Sequence, residues 1–247
     1  MMKFAGRFIL LWLLCPLIAA ASFRFVFGGV ATTMPDFVYH AHMRPLAFYS
    51  HIILASLALA LVPFQLWAGL RKRRIHIHRA LGRVYGVAVL DSGIGGFWLA
   101  VTTQSGGVAA WGFGFLAIVW IGATSYGILL AMRGNPAAHQ RWMVRSASLT
   151  MAAVTLRVYL GLAVVAGLSY EDVSGVLAWV CWVPNLAVAE FIARQSVRKR
   201  QIPITSERSM ARSTFLDPSK TPSGFEDPQC LESNACDRPE RPPLAGA

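Results

Sequence analysis

Six apolar stretches of about 20 residues each, separated by short polar segments, dominate this chain of 247 residues. Only helices and closed barrels satisfy their backbone hydrogen bonds inside a bilayer, and stretches of this length are typical of helices. The sequence therefore predicts an all-α, polytopic bundle of transmembrane helices with six spans. Glycines in the third and fourth stretches, among them Gly95 and Gly112, are predicted to let neighbouring helices pack closely. The predicted spans are residues 8–27, 46–69, 84–103, 109–132, 147–168 and 175–193.

The charge content excludes a soluble class of protein. Charged residues make up 14% of the chain, against roughly 25% in an average soluble domain. The excess of 23 Lys and Arg over 12 Asp and Glu lies in short clusters between the apolar stretches, too sparse to cover a globule. A soluble nucleic-acid-binding protein is thereby excluded. The expected partners are the lipid bilayer and, within it, another membrane protein or a second copy of the chain.

The basic residues also predict the orientation, because positively charged loops stay on the cytoplasmic side. With both termini in the cytoplasm, fifteen Lys and Arg side chains fall on that side and only Arg24 and Arg44 on the other. The largest cluster runs from Arg71 to Arg83, with six basic residues and no acidic residue. The sequence therefore predicts that both termini are cytoplasmic.

Three segments are expected along the chain. Residues 1–45 contain the first span and an outer loop; Lys3 and Arg7 before the apolar run fit either an uncleaved anchor or a signal peptide. Residues 46–200 form a core of five spans. Residues 201–247 hold seven of the thirteen prolines and a mixed charge, which predicts a disordered cytoplasmic tail.

Ionisable residues within spans are costly and usually have a role when a partner is at hand. Arg157 is expected near the middle of the fifth span, and Asp91 within reach of it on the third. We predict an Asp91–Arg157 ion pair with Glu190 beneath it and Asn185 close by on the sixth span. Such a network is either a polar contact that fixes helix packing or a relay for protons or ions.

The histidines form two groups, one expected on each side of the membrane. The candidate cofactor ligands are His51 with His42 on the outer side, and His78 with His139 on the cytoplasmic side. Imidazole is a common axial ligand of haem, and helical bundles build such sites from facing helices. The alternative is that these histidines bind lipid headgroups or cap helices. No catalytic residue and no metal site are assigned.

A cationic rim is expected beside the cytoplasmic pair of histidines. It would place positive charge where haem propionates or anionic lipid could bind. Its members are Arg79, Arg83, Arg141 and Arg145.

Three motifs give the chain a resemblance to a known family. They are residues 78–85 (HRALGRVY), residues 138–146 (AHQRWMVRS) continuing into 149–157 (LTMAAVTLR), and residues 182–186 (WVPNL) with 189–190 (AE). The helix that contains His51 and residues 63–65 (PFQ) also matches. Over about residues 40–195 the chain resembles the bacterial predicted membrane proteins of domain of unknown function 2306. Gln140 departs from the arginine that this pattern would have.

The resemblance implies a polytopic protein of the bacterial inner (plasma) membrane, and it supplies no activity. It places several of the singled-out residues on motif positions, namely His51, His78, His139, Arg157, Asn185 and Glu190. The tail after residue 200 lies outside the pattern.

Three functions are compatible with these features. The first is a membrane redox protein that binds haem b or a metal through the histidines. The second is a proton-coupled transporter of small molecules that uses Asp91, Arg157 and Glu190. The third is a non-catalytic assembly or maturation factor. The chain shows no nucleophile–base arrangement, phosphate-binding loop or zinc spacing, which argues against a hydrolase or a kinase.

Overall fold

The computed structural model describes residues 2–33 and 35–195, with side chains from Leu11 onward except those of Phe25 and Asp36. Within these ranges the chain is helical and contains no strand. The tail predicted to be disordered lies outside the described residues. The long helices are α1 Met2–Ser22, α2 Pro45–Leu66, α3 Ile75–Val101, α4 Gly107–Met132, α5 Pro136–Val165 and α6 Tyr170–Gln195.

Short helices connect the first three long ones. Arg24–Phe27, Val30–Thr33, the 3-10 turn Pro35–Phe37 and Val38–Met43 lie between α1 and α2, and Ala68–Arg73 lies between α2 and α3. Helices α2 to α6 are long and apolar enough to cross a membrane, by length and composition. Helix α1 has a shorter described apolar stretch, Leu11–Ser22. The predicted helical membrane bundle is confirmed, whereas the count of six spans and the side of the termini stay predictions.

Two helices begin earlier than the sequence predicted. Helix α3 begins at Ile75 rather than at residue 84, and α5 at Pro136 rather than at residue 147. At α5 the Asn135 side chain accepts a hydrogen bond from the backbone N–H of Ala138, and proline suits the first helical position. Arg79, Arg83, Arg141 and Arg145, expected in loops, therefore lie in the first turns of α3 and α5. We call this end of the bundle, where α3 and α5 begin, the basic end, and the other the opposite end.

Close helix contacts depend on glycine, as predicted. A Cβ atom on Gly95 of α3 would lie 2.9 Å from the carbonyl oxygen of Ala47 in α2. One on Gly112 of α4 would lie 2.7 Å from the Cβ of Ala178 in α6. Around these contacts the core is formed by α2, α3, α4 and parts of α1, α5 and α6. Its largest members include Leu59, Val62, Tyr85, Val89, Trp120, Leu149 and Trp182.

Helices α5 and α6 are each interrupted once. In α5 the break is at Met151, next to Thr150, whose hydroxyl donates to the Ser146 carbonyl one turn earlier; such bonds often bend helices. In α6 the turn at residues 181–182 precedes Pro184, which has no backbone N–H to donate. There the Trp182 indole N–H donates to the Ala178 carbonyl at 2.8 Å, while the Trp182 backbone N–H reaches Trp179 instead.

Candidate functional site

The two histidines predicted to pair at the basic end are neighbours in the structure. His78 lies in the first turn of α3 and His139 in the first turn of α5, close enough to interact electrostatically. His139 Nδ1 lies 2.7 Å from the Gly127 carbonyl oxygen of α4. A carbonyl only accepts, so Nδ1 carries a proton, and in the neutral ring Nε2 keeps a free lone pair. His78 Nδ1 is buried and has no hydrogen-bond partner among the described residues.

His51 has the same type of anchor at the other end of the bundle. Its Nδ1 lies 2.7 Å from the Ser92 carbonyl oxygen of α3, which again leaves Nε2 unprotonated. The ring fits because Gly96 has no side chain: a Cβ there would lie 2.8 Å from two ring atoms. His42, its predicted companion, is exposed on the short helix Val38–Met43. In that helix the buried histidine is His40.

The predicted cationic rim is only partly a free surface. Arg79, Arg83 and Arg141 are exposed at the basic end, and the charges of Arg71 and Arg79 act on His78. Arg145 is half-buried and already engaged. Its guanidinium lies 4.6 Å from the Trp142 ring centroid and donates twice to one Glu190 oxygen, at 2.7 and 2.9 Å.

The expected network of Asp91, Arg157 and Glu190 is not assembled, and this corrects the sequence prediction. Glu190 pairs with Arg145 and, at 3.3 Å, with Arg194. Asp91 is exposed and forms no ion pair among the described side chains. The carboxylate that the guanidinium of Arg145 reaches is Glu190, on α6, while Asp91 stays exposed on α3.

Arg157 and Asn185 have other partners instead. The Arg157 guanidinium donates to the Ser22 hydroxyl at 2.7 Å and to the Ala153 carbonyl at 2.9 Å. The Asn185 side-chain amide donates to the Thr155 hydroxyl at 2.7 Å and to the Cys181 carbonyl at 3.1 Å. Asn185 therefore joins the two interrupted helices near their breaks.

A buried cluster of hydroxyl groups was not predicted. The Tyr85 hydroxyl lies 2.8 Å from Ser146 Oγ and 2.7 Å from Thr150 Oγ1, and Thr124 Oγ1 lies 2.6 Å from Ser146 Oγ. The Trp120 indole N–H donates to Thr150 Oγ1 at 3.0 Å. All five side chains are buried and joined by hydrogen bonds, so the cluster connects α3, α4 and α5 through the core.

A bundle of apolar helices, five of them of membrane-spanning length, defines a multi-pass membrane protein. More closely, the chain belongs to the DUF2306 family of predicted membrane proteins, whose family model matches residues 48–193. No curated protein and no solved structure matches the chain. Among the side chains that the structure describes, no group of three or more His, Cys, Asp or Glu could hold a metal ion.

Proposed function

We propose that the protein is a membrane redox protein that binds haem b through His78 and His139. The observation that carries the proposal is geometric: both rings lie in the first turns of helices at the basic end, His139 Nδ1 is held by the Gly127 carbonyl, and His78 Nδ1 is buried without a partner among the described residues. Histidines that bind metals usually donate their other N–H to a carbonyl or carboxylate, which fixes the tautomer and the ring orientation. A bis-histidine haem needs two such ligands and no third.

The surroundings of the pair support an anionic cofactor. His78 has a buried ring nitrogen without a partner, which a ligand bond could satisfy. Arg71 and Arg79 place positive charge beside it, and such side chains bind carboxylates such as haem propionates. Bound there, haem would carry one electron per cycle, and the two helices would hold it near the basic end.

The test is a pyridine haemochrome spectrum on protein purified in detergent from haem-replete cells. We expect one haem b per chain, with the Soret band lost in His78→Ala and in His139→Ala. His76→Ala is the matched control, because His76 is exposed on the same helix. A colourless wild-type preparation would reject the proposal. Haem retained in both ligand variants would reject this pair of ligands.

We also propose that the protein lies in the inner membrane of a bacterium with the basic end in the cytoplasm. Fifteen basic side chains on that side against two on the other support this orientation. Alkaline phosphatase fused after Gln104, at the opposite end, should be active, and the same enzyme fused after Asn135 should be inactive. The reverse pattern of activities would contradict this orientation.

A further inference from the structure

Arg157 is an arginine within a membrane helix whose charge is paired with no carboxylate among the described side chains. It lies about 12 Å from the opposite end of α5, given the rise of 1.5 Å per residue. Its two hydrogen bonds go to neutral acceptors, the Ser22 hydroxyl and the Ala153 carbonyl. A charge at this depth is costly without a counter-charge, so intramembrane arginines usually mark a binding or transport site.

Two described side chains, Arg24 and His51, act electrostatically on Arg157. Arg24 is close enough to Arg157 for their charges to repel, and His51 lies close enough to interact with it. His51 donates its Nδ1 proton to Ser92, so it presents an unprotonated nitrogen and no negative charge. An anion would supply the counter-charge that no described carboxylate gives to Arg157.

The Arg157 guanidinium has N–H donors left over for an anionic ligand. It carries five N–H donors in a fixed plane, and its two hydrogen bonds to Ser22 and Ala153 use Nη1 and Nη2 once each. These two bonds hold its plane in place, and the remaining donors can bind two oxygens of one phosphate group.

There is also room beside it. Gly161 lies one turn beyond Arg157 on the same face of α5, and a Cβ atom there would meet nothing within 4 Å. Val158 and Leu162, in the same part of α5, are exposed. The approach to Arg157 from the opposite end is therefore open along α5.

We propose that Arg157 binds an anionic phosphate group between α1 and α5, with Ser22 fixing the orientation of the guanidinium. The phosphate belongs either to a lipid headgroup or to a free anion. This inference is independent of haem at the basic end. Arg157 lies in the other half of α5, and none of its partners belongs to the proposed haem site.

The experiment measures thermal unfolding of the purified full-length chain in detergent. Phosphatidylglycerol, phosphatidylcholine or inorganic phosphate is added at matched ionic strength. We expect one phosphate source to raise the Tm of the wild type by about 5 °C. A shift of this size is expected when a ligand is present at a concentration well above its Kd. Arg157→Gln should lose this shift. Arg133→Gln, which removes an exposed charge in the α4–α5 connection, should keep it.

The outcomes separate the two sources. A shift with phosphatidylglycerol alone identifies a lipid phosphate, and a shift with inorganic phosphate identifies a free anion. Three results would overturn the proposal: no shift with phosphatidylglycerol or inorganic phosphate, a shift with phosphatidylcholine as large as that with phosphatidylglycerol, or an equal shift in wild type and Arg157→Gln. Should Arg157→Gln fail to fold, Arg157→Lys takes its place. The ammonium group keeps the charge but cannot bind two oxygens in a plane, so its shift should be smaller, and a full shift would overturn the proposal.

Discussion

Replacing Tyr85 with alanine is expected to lower the free energy of unfolding by about 3 kcal/mol or more, the usual cost of removing a large buried aromatic side chain. Tyr85 is 1% exposed, and its hydroxyl joins Ser146 and Thr150 of α5 to α3. The loss would combine a cavity at the centre of the bundle with two broken hydrogen bonds. Thermal unfolding followed by circular dichroism in detergent measures it.

Two further variants separate the cost of the cavity from the cost of the broken hydrogen bonds. Tyr85→Phe keeps the ring and removes the hydroxyl, so its cost should be about 1 kcal/mol. Tyr159→Ala removes an exposed tyrosine and should stay within about 0.5 kcal/mol of the wild type. If Tyr85→Ala were no less stable than Tyr159→Ala, the cluster would not be part of the stabilising core.

Gly112→Ala is the second substitution with a large expected effect, a loss of about 2 kcal/mol from overpacking. Its Cβ would lie 2.7 Å from the Ala178 Cβ, 2.9 Å from the Ala178 carbonyl oxygen and 2.9 Å from the Trp179 indole nitrogen. Since one of these atoms belongs to the backbone of α6, the contact can be relieved only by moving the helices apart.

The matched control, Gly122→Ala, is expected to raise the free energy of unfolding rather than lower it. Gly122, also in α4, is exposed, and a Cβ atom at this position would meet nothing within 4 Å. Gly122→Ala should therefore gain up to about 1 kcal/mol from helix propensity. Ala178→Gly in the Gly112→Ala background should restore part of the loss. A Gly112→Ala protein as stable as Gly122→Ala would show that α4 and α6 do not pack as described.

Apolar runs and glycines were sufficient to predict the helical bundle. Each can be read from a single segment of the sequence, without knowing how the helices are arranged around one another. The helix limits were less accurate at the basic end. Arg145 was placed in a loop before the fifth span, which left Arg157 as the expected partner of Glu190. Once α5 begins at Pro136, Arg145 lies on a helix that faces Glu190, and the ion pair follows.

The side-chain clusters depend on how each helix is rotated, and this was not visible in the sequence. Ser146, Thr150 and Thr124 could each have bonded only to their own helix, as isolated Ser and Thr in membrane helices often do. Instead, Ser146 and Thr150 contact Tyr85, 61 and 65 positions away, and Thr124 contacts Ser146. His78 and His139 were placed at the same end because both belong to basic motifs there, and both lie in first helical turns at that end, while their pairing as ligands stays a prediction. His42 and Asp91 are exposed.

The indole of Trp182 has a consequence for what that position can tolerate. Because its N–H occupies the Ala178 carbonyl where a regular helix would use a backbone amide, the side chain completes the main-chain ladder at the break before Pro184. Phenylalanine would keep an aromatic ring, although a smaller one, and would leave that carbonyl without the indole donor. At residue 182, therefore, the side chain has a role in main-chain hydrogen bonding in addition to its place in the core.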